Sequence, residues 1–332
     1  MRQFKLVARR ELEFRSDAQV PEPAEDEVLV QVKACTICGR SDLTYYHYLG
    51  QRDHCAKGCF GHEIAGKVVD VGRHVSTRWV GQRVFVRTPR TTGYAEYAAA
   101  REIALGSLPA QIPFEQGAIL QLLPLAINAT RGVKLGDRVL IIGQGPVGIM
   151  ALQVARIRGA SRIVVADLDS WRLKRSAALG ADETIRVSAQ EMSSLNDAVA
   201  DIDVAIDAVG TPVTVNACIN LVRHHGLVVL LGTHHVDTHV TFDLVQWEHK
   251  GLRVHSSAEA TDEERLAAMR QAQRLVDAGR IRLPEMLTHT MPLEALPKAI
   301  EILSQSSILE PEGVRSFFSG PPSETLKVAI CP

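Results

Sequence analysis

Val139-Leu140-Ile141-Ile142-Gly143-Gln144-Gly145-Pro146-Val147-Gly148 is the stretch that decides the fold. Four apolar residues in a row suit a strand buried on both faces of a parallel sheet. Glycines then follow in the spacing Gly-x-Gly-x-x-Gly, and Ile149 to Ile157 beyond them is apolar-rich and helix-compatible. Strand, glycine turn and helix in that order is the context in which this spacing cradles the phosphates of a dinucleotide. Gly143 permits the tight turn, Gly145 removes the side chain where a pyrophosphate approaches, and Gly148 lets the helix pack close to the strand. The helix amino terminus, begun by Pro146 and Val147, points N–H groups and a positive partial charge at the phosphates. Asp167 closes the next apolar run, Ile163 to Ala166. Its carboxylate suits the adenosine ribose hydroxyls and repels a 2′-phosphate, which favours NAD over NADP. Arg172 follows closely enough to flank the adenosine end.

Outward from this stretch the texture alternates. Arg172 to Leu179 reads as a helix, and Val204 to Ile206 and Leu227 to Leu231 read as buried strands ending at Gly210 and Gly232. Strands alternating with helices imply right-handed βαβ units and an α/β doubly wound parallel sheet. Arg223, His224 and His225 fit a turn before Gly226. Thr261-Asp262-Glu263-Glu264 has the form of a capping box, opening a helix that stops at Gly279. Before Arg138 the chain is β-rich. Glu27 to Lys33 alternates with period two, as a half-buried strand does, and Ile64 to Val71 and Arg83 to Val86 are further short strands. Pro109 to Ala129 is mainly apolar and reads as helical, interrupted near Pro124. Lys327 to Ile330 is a strand that can rejoin the first part, and Ser304 to Pro322 suits a long surface loop.

The 332 residues suit two domains better than one. A formal charge of -1 gives no global attraction to nucleic acid or an anionic membrane. The apolar runs are strand-length, far short of the roughly 20 residues that span a bilayer. Met1-Arg2-Gln3-Phe4-Lys5 lacks the form of a secretory signal. Six cysteines in a chain this long read as reduced thiols or metal ligands. The expected address is the cytoplasm.

A second motif precedes the first. Cys38-Gly39-Arg40-Ser41-Asp42 is followed by Gly61-His62-Glu63. A thiolate and an imidazole are ligand types zinc prefers. A metal that acidifies an alcohol, beside a cofactor that accepts hydride, is the equipment of an alcohol dehydrogenase. Cys35 and Cys38, or Cys55 and Cys59 beside His54, could be assembled into a second zinc site, but closed sites need four ligands at compact spacing. Buried or free thiols are the plainer reading. Tyr45, Tyr46, His47 and Tyr48 suit a packed helix face or a pocket wall equally well. His234, His235 and His239 suit a solvated loop.

Both halves resemble the zinc-dependent medium-chain dehydrogenase/reductase superfamily, in its alcohol and polyol dehydrogenase branch. The resemblance is carried by Ala34 to Asp42, Gly61 to Gly66, Val80 to Val84 and Gly143 to Gly148, with Ala177 to Asp182, Lys250-Gly251, Leu287-Thr288-His289 and Pro292-Leu293-Glu294 in support. It implies a GroES-like β-rich catalytic domain over residues 1–124, a Rossmann NAD-binding domain over 125–257, and a return to the catalytic domain over 258–332. It also implies a catalytic zinc held by Cys38 and His62, with Glu63 beside the metal. Asp42 is implied to orient His62, and Ser41 to hydrogen-bond the substrate hydroxyl and start a proton relay. Thr44 or His47, close by in the sequence, are the expected residues to pass the proton outward. The implied substrate is a small alcohol or ketone, and the implied assembly a dimer or tetramer.

The chain departs from the family in three places. Both Gly39 and Arg40 stand between Cys38 and Ser41, one residue more than usual. The segment that often supplies a further ligand reads Leu120-Gln121-Leu122-Leu123-Pro124, and Leu123, at the matching position, cannot ligate zinc. That leaves Cys38, His62, Glu63 and water. Only Arg87 to Thr92 connect Val84-Phe85-Val86 to Gly93-Tyr94-Ala95-Glu96-Tyr97, with no cysteine, so one catalytic zinc and no structural zinc are expected. The polyol-type ligand set and Arg40 lean towards a polyol, cyclitol, sugar or amino alcohol. Two alternatives stay open: a zinc-free reductase of activated double bonds or quinones, and a non-catalytic dinucleotide-binding protein.

Overall fold

The computed structural model describes residues 1–48, 60–187, 195, 199, 201–232, 241–305 and 324–332. Cys55, Cys59, His54, the histidines 234, 235 and 239, and nearly all of the loop expected over Ser304 to Pro322 lie outside them.

The described residues of Met1–Pro124 and of the chain after Ala260 form one unit, and those of Leu125–Ala260 a second. The first unit opens with an antiparallel hairpin, β1 (Gln3–Ala8) and β2 (Glu11–Arg15). It continues through β3 (Glu27–Thr36), helix α1 (Ser41–Tyr48), β4 (Glu63–Val71), β5 (Arg83–Val86), β6 (Tyr97–Arg101) and β7 (Leu105–Ser107). β3 is longer and more deeply buried than its alternating pattern suggests. Only Gln31 and Lys33 reach solvent, because β4, β6 and a strand from the far end of the chain all pair with it. Between β5 and β6 the short connection is closed by Arg90, whose Nε lies 2.7 and 2.9 Å from the two oxygens of buried Glu27.

The apolar segment expected to be one interrupted helix is a short helix α2 (Phe114–Gly117), a 3₁₀ turn (Ala118–Gln121) and helix α3 (Leu122–Ala129). The break falls at Ala118–Gln121 rather than Pro124. Pro124 lies in the first turn of α3, where no intrahelical donor is needed from it.

The second unit alternates as expected: β8 (Arg138–Ile142), α4 (Pro146–Ile157), β9 (Arg162–Asp167), α5 (Ser170–Ala178), β10 (Glu183–Arg186), β11 (Ile202–Asp207), α6 (Pro212–Leu221), β12 (Val222–Leu230), α7 (Leu244–Lys250) and β13 (Arg253–Ser256). All pairings are parallel, in the order β10-β9-β8-β11-β12-β13. This is the doubly wound arrangement, and its β8 strand carries the glycine turn at the centre of the sheet. Arg223, His224 and His225 belong to β12 rather than to a turn before it. The register against β11 slips between Val222 and Leu227, and His225 takes φ 57° within that bulge. Lys250 donates to the carbonyls of Ile219, Asn220 and Val222, closing the end of α6, while Gly251 ends α7 at φ 57°. Those bonds give Lys250-Gly251 a structural purpose.

The chain then returns. Thr261 caps α8 (Asp262–Asp277) with the reciprocal bonds of a capping box, Glu264 N to Thr261 Oγ1 and Thr261 N to Glu264 Oε2, both 3.2 Å. β14 (Leu287–Pro292), α9 (Leu296–Gln305) and β15 (Lys327–Cys331) follow. β15 inserts between β14 and β3, completing a sheet ordered β14-β15-β3-β4-β5-β7 with β6 also on β3. The core of this unit includes Val30, Val32, Ile37, Leu43, Ile64, Tyr94, Val328 and Ile330.

Candidate active site

In the first unit three strand ends meet. β3 ends at Thr36, β4 begins at Glu63 and β15 begins at Lys327, with Thr36 opposite Glu63 in register. Cys38 lies just past β3, at the foot of α1, where the backbone N–H of Ser41 points at its Sγ from 3.3 Å. A helix amino terminus favours a thiolate there. Gly61 takes φ 70°, so the chain turns just before His62 and Glu63. Adjacent residues of a regular strand would face opposite sides. Here the ligand atoms of Cys38, His62 and Glu63 all lie within 4.8 Å of one another. Among the described residues no other group of three such side chains converges this way. Cys35 stays apart, fully buried in β3 with its Sγ against the Thr36 carbonyl.

Each of these groups is held from behind. Asp42 is fully buried. Its Oδ2 accepts from Cys38 N at 2.9 Å and from the Tyr94 hydroxyl at 2.6 Å, and its Oδ1 accepts from Gly61 N at 2.9 Å. His62 Nδ1 lies 3.7 Å from Oδ1, a charge contact longer than a hydrogen bond. Glu63, also fully buried, gives its Oε2 to the Lys327 ammonium and the Thr36 hydroxyl. Its Oε1 is buried with no protein partner. Lys327 Nζ also donates to the Ile37 carbonyl at 3.1 Å.

The electrostatics follow the geometry. Burial alone would raise the Cys38 thiol, but the hydrogen bond and charge of His62 reverse this and hold it below its ordinary value. Burial would also discharge His62, yet the Cys38 thiolate, Asp42 and Glu63 push its pKa up. Burial raises the Asp42 carboxyl, opposed by His62, Tyr94 and the two backbone amides. Tyr94 is pushed well up by burial and by Asp42, so its hydroxyl donates. The site thus gathers a sulfur, an imidazole and a carboxylate, one of whose oxygens has no protein partner. A divalent cation such as zinc suits that donor set, the imidazole binding it in its neutral form.

The relay residues are placed differently from one another. Ser41 is the first residue of α1, beside Cys38. Thr44 donates from Oγ1 to the Arg40 carbonyl at 2.7 Å. His47 lies between Arg10 Nε, 3.1 Å from Nδ1, and Ser304 Oγ, 3.0 Å from Nε2. Leu123 is fully buried. Gln121, two residues before it, donates from Nε2 to the Arg87 carbonyl at 3.2 Å.

In the second unit the glycine turn takes the shape its spacing implies. Gly143 has φ 94°, and a Cβ on Gly148 would overlap the Gly143 carbonyl oxygen. A Cβ on Gly145 would meet nothing within 4 Å. Gly145 precedes Pro146 and Val147 at the start of α4, whose first N–H groups have no side-chain cap. Asp167 ends β9 and accepts from Gln144 N at 2.6 Å and from Asp169 N at 2.8 Å. It thus fixes the glycine turn from the end of β9. Arg172, on α5, lies 3.8 Å from Asp169.

The sequence reading passed over Lys327, Thr36, Tyr94 and Gln144. Lys327 was legible only as the charged start of a strand, and Tyr94 only as part of the motif bounding the short connection. Gln144 Oε1 accepts from Ser176 Oγ at 2.8 Å, tying the turn to α5. Nothing in the glycine spacing signals that bond.

Comparison with known proteins agrees with this geometry. A family model described as the alcohol dehydrogenase GroES-like domain matches residues 24–113, and one described as zinc-binding dehydrogenase matches residues 146–274. An L-threonine 3-dehydrogenase of Xanthomonas euvesicatoria is 30% identical over 320 residues, covering 86% of this chain and 91% of the relative. Sorbitol dehydrogenase of Gallus gallus is 27% identical, with 92% of each chain covered. The crystal structure of galactitol-1-phosphate dehydrogenase from Escherichia coli superposes with a TM-score of 0.80 at 23% identity, covering 100% of both chains, and shows the shared fold. The chain belongs to the zinc-dependent medium-chain dehydrogenase/reductase superfamily, in its alcohol and polyol dehydrogenase branch.

Proposed function

We propose that this chain is a zinc-dependent oxidoreductase that transfers hydride between NAD(H) and a secondary alcohol or its ketone, with a polyol, cyclitol, sugar or amino alcohol as substrate. The observation that carries the reading is the convergence of Cys38, His62 and Glu63, with one glutamate oxygen left bare. Relatives named for threonine and sorbitol support the substrate class. Zinc at these three residues would supply Lewis acidity to an alcohol oxygen, and bound NAD would supply the hydride acceptor.

The protein's own residues do the positioning. Asp42 fixes the turn that carries His62 and presents a carboxylate to its Nδ1. The His62 ring lowers the Cys38 thiol pKa, and the Ser41 N–H points at its sulfur, so both favour the thiolate. Lys327 pairs with Glu63 Oε2, so that the other oxygen stays available. Ser41 Oγ, next to the metal-binding cysteine, would accept the proton of the substrate hydroxyl while releasing its own to solvent, and Thr44 and His47 serve the backbone and the hairpin. Gly145 leaves room for the pyrophosphate, and Asp167 accepts from the ribose. We place the enzyme in the cytoplasm as a homo-oligomer. The free thiols of Cys35, Cys38, Cys218 and Cys331 suit a reducing compartment.

Screening polyols, cyclitols and amino alcohols for NAD reduction, with Cys38→Ser in parallel, tests the proposal. Substrate-dependent NADH formation that disappears in Cys38→Ser is expected. Reduction of activated double bonds or quinones by wild type and Cys38→Ser alike would overturn it.

A further inference from the structure

Among the described residues, Tyr94 supplies the one side-chain hydrogen bond that Asp42 receives. The ring is fully buried. Its backbone is anchored away from both ligand segments, the Tyr94 N–H bonding to Thr92 Oγ1 at 3.1 Å and the Tyr94 carbonyl accepting from Phe4 N at 2.8 Å, while Phe60 lies edge-on to the ring at 4.8 Å. Gly93 N donates to the Gly61 carbonyl at 2.8 Å, and a Cβ on Gly61 would come within 2.8 Å of Tyr94 Cδ2. The tyrosine is therefore packed directly on the turn that delivers His62.

A carboxylate offers about four lone-pair sites. On Asp42, Cys38 N and the Tyr94 hydroxyl occupy Oδ2, and Gly61 N occupies one site of Oδ1. The remaining site, on Oδ1, is the one nearest His62 Nδ1. The two backbone donors come from the ligand-bearing segments themselves, the residue of one ligand and the neighbour of the other. Only Tyr94 ties the carboxylate to a separately anchored part of the unit. Remove its hydroxyl and Oδ2 keeps a single donor, so the carboxylate can rotate about its Cβ–Cγ bond and the site facing His62 is no longer fixed.

We propose that Tyr94 is a positioning residue of the metal centre, its hydroxyl locking the Asp42 carboxylate in the orientation that aligns His62. This rests on the reading of Cys38, His62 and Glu63 as a zinc site. Groups that orient metal ligands typically affect metal affinity or activity by about 10–100-fold. Tyr94 acts one bond further out, which points to the lower end of that range.

Tyr94→Phe keeps the ring and deletes only the hydroxyl. Full-length wild type and Tyr94→Phe are loaded with cobalt(II), and in parallel with zinc. The readouts are the cobalt d–d spectrum and the rate of metal release to a chromogenic chelator. Release about tenfold faster, with a shifted cobalt spectrum, is expected. In an Asp42→Asn background, Tyr94→Phe should then add nothing, because the two act as one unit. Wild-type release from Tyr94→Phe overturns the proposal. So does a lowered melting temperature with an unmoved cobalt spectrum, or an equal effect of Tyr94→Phe in both backgrounds. Failure of wild type to take up either metal is a different result: it removes the zinc reading itself, and the role of Tyr94 with it.

Discussion

Lys327 and Glu63 meet as a buried ion pair, their side chains 1% and 0% exposed, joining the last strand of the chain to the first residue of β4. The pair occupies Oε2 and leaves Oε1 without a protein partner, on the glutamate that converges with Cys38 and His62. Breaking a buried pair from one side strands a charge. Lys327→Met should therefore cost about 3–5 kcal/mol of stability, read by urea unfolding, and Lys327→Met with Glu63→Gln should recover much of it. A single variant as stable as wild type would show that the pair is not what holds Glu63.

The three glycines of the cofactor turn should separate under mutation. In Gly148→Ala the new Cβ overlaps the Gly143 carbonyl oxygen, so the protein should melt several degrees lower, whatever its ligand. Gly145→Ala meets open space, so it should melt like wild type yet bind NADH at least about tenfold more weakly, roughly 1.4 kcal/mol. Fluorescence titration with NADH, alongside melting curves, checks both. Undiminished NADH binding by Gly145→Ala would mean the pyrophosphate does not approach there.

Asp167 holds the glycine turn in addition to the ribose role proposed for it, a structural duty that spacing alone does not reveal. Because it holds Gln144 N at 2.6 Å, Asp167→Ser should lose NADH affinity by more than it gains NADPH affinity, while the preference for NADH narrows. Equal and opposite changes would confine the carboxylate to repelling the 2′-phosphate. A wild-type preference for NADPH would contradict its assigned role.

Zinc uptake should depend on pH with a definite sign. In the metal-free protein the neighbours of His62 raise its pKa above the ordinary value, so at neutral pH the ring carries a proton that zinc must displace. The proton is bound before the metal arrives and absent afterwards. Apparent zinc affinity should therefore climb as pH rises from about 6 to 8, by up to about tenfold per pH unit for each proton released. Chelator competition at several pH values measures this. A flat profile would mean that the ring is already neutral.

The cofactor unit was legible because each of its signals is local. Val139 to Ile142, the glycine spacing and Asp167 are read within one βαβ unit, and the parallel sheet follows. The capping box at Thr261 and Glu264 was legible for the same reason. What escaped were contacts closed by distant chain segments. Lys327 reaches Glu63, and Tyr94 reaches Asp42, only after β15 and the segment before β6 have been laid beside β3 and β4. No spacing rule joins residues 264 positions apart. The bulge that keeps Arg223 to His225 within β12 is likewise set by the partner strand rather than by composition. The break at Ala118–Gln121 went to the wrong place because a proline in the first turn of a helix does not interrupt it.

Metal content tests the central claim most directly. The full-length protein, purified after growth with added zinc, should contain close to one zinc per chain by elemental mass spectrometry, and Cys38→Ala should contain almost none. Two zincs per chain would show that a second, structural site exists. A wild-type protein without zinc, or a Cys38→Ala variant that keeps it, would contradict the account of Cys38, His62 and Glu63 as the catalytic metal centre.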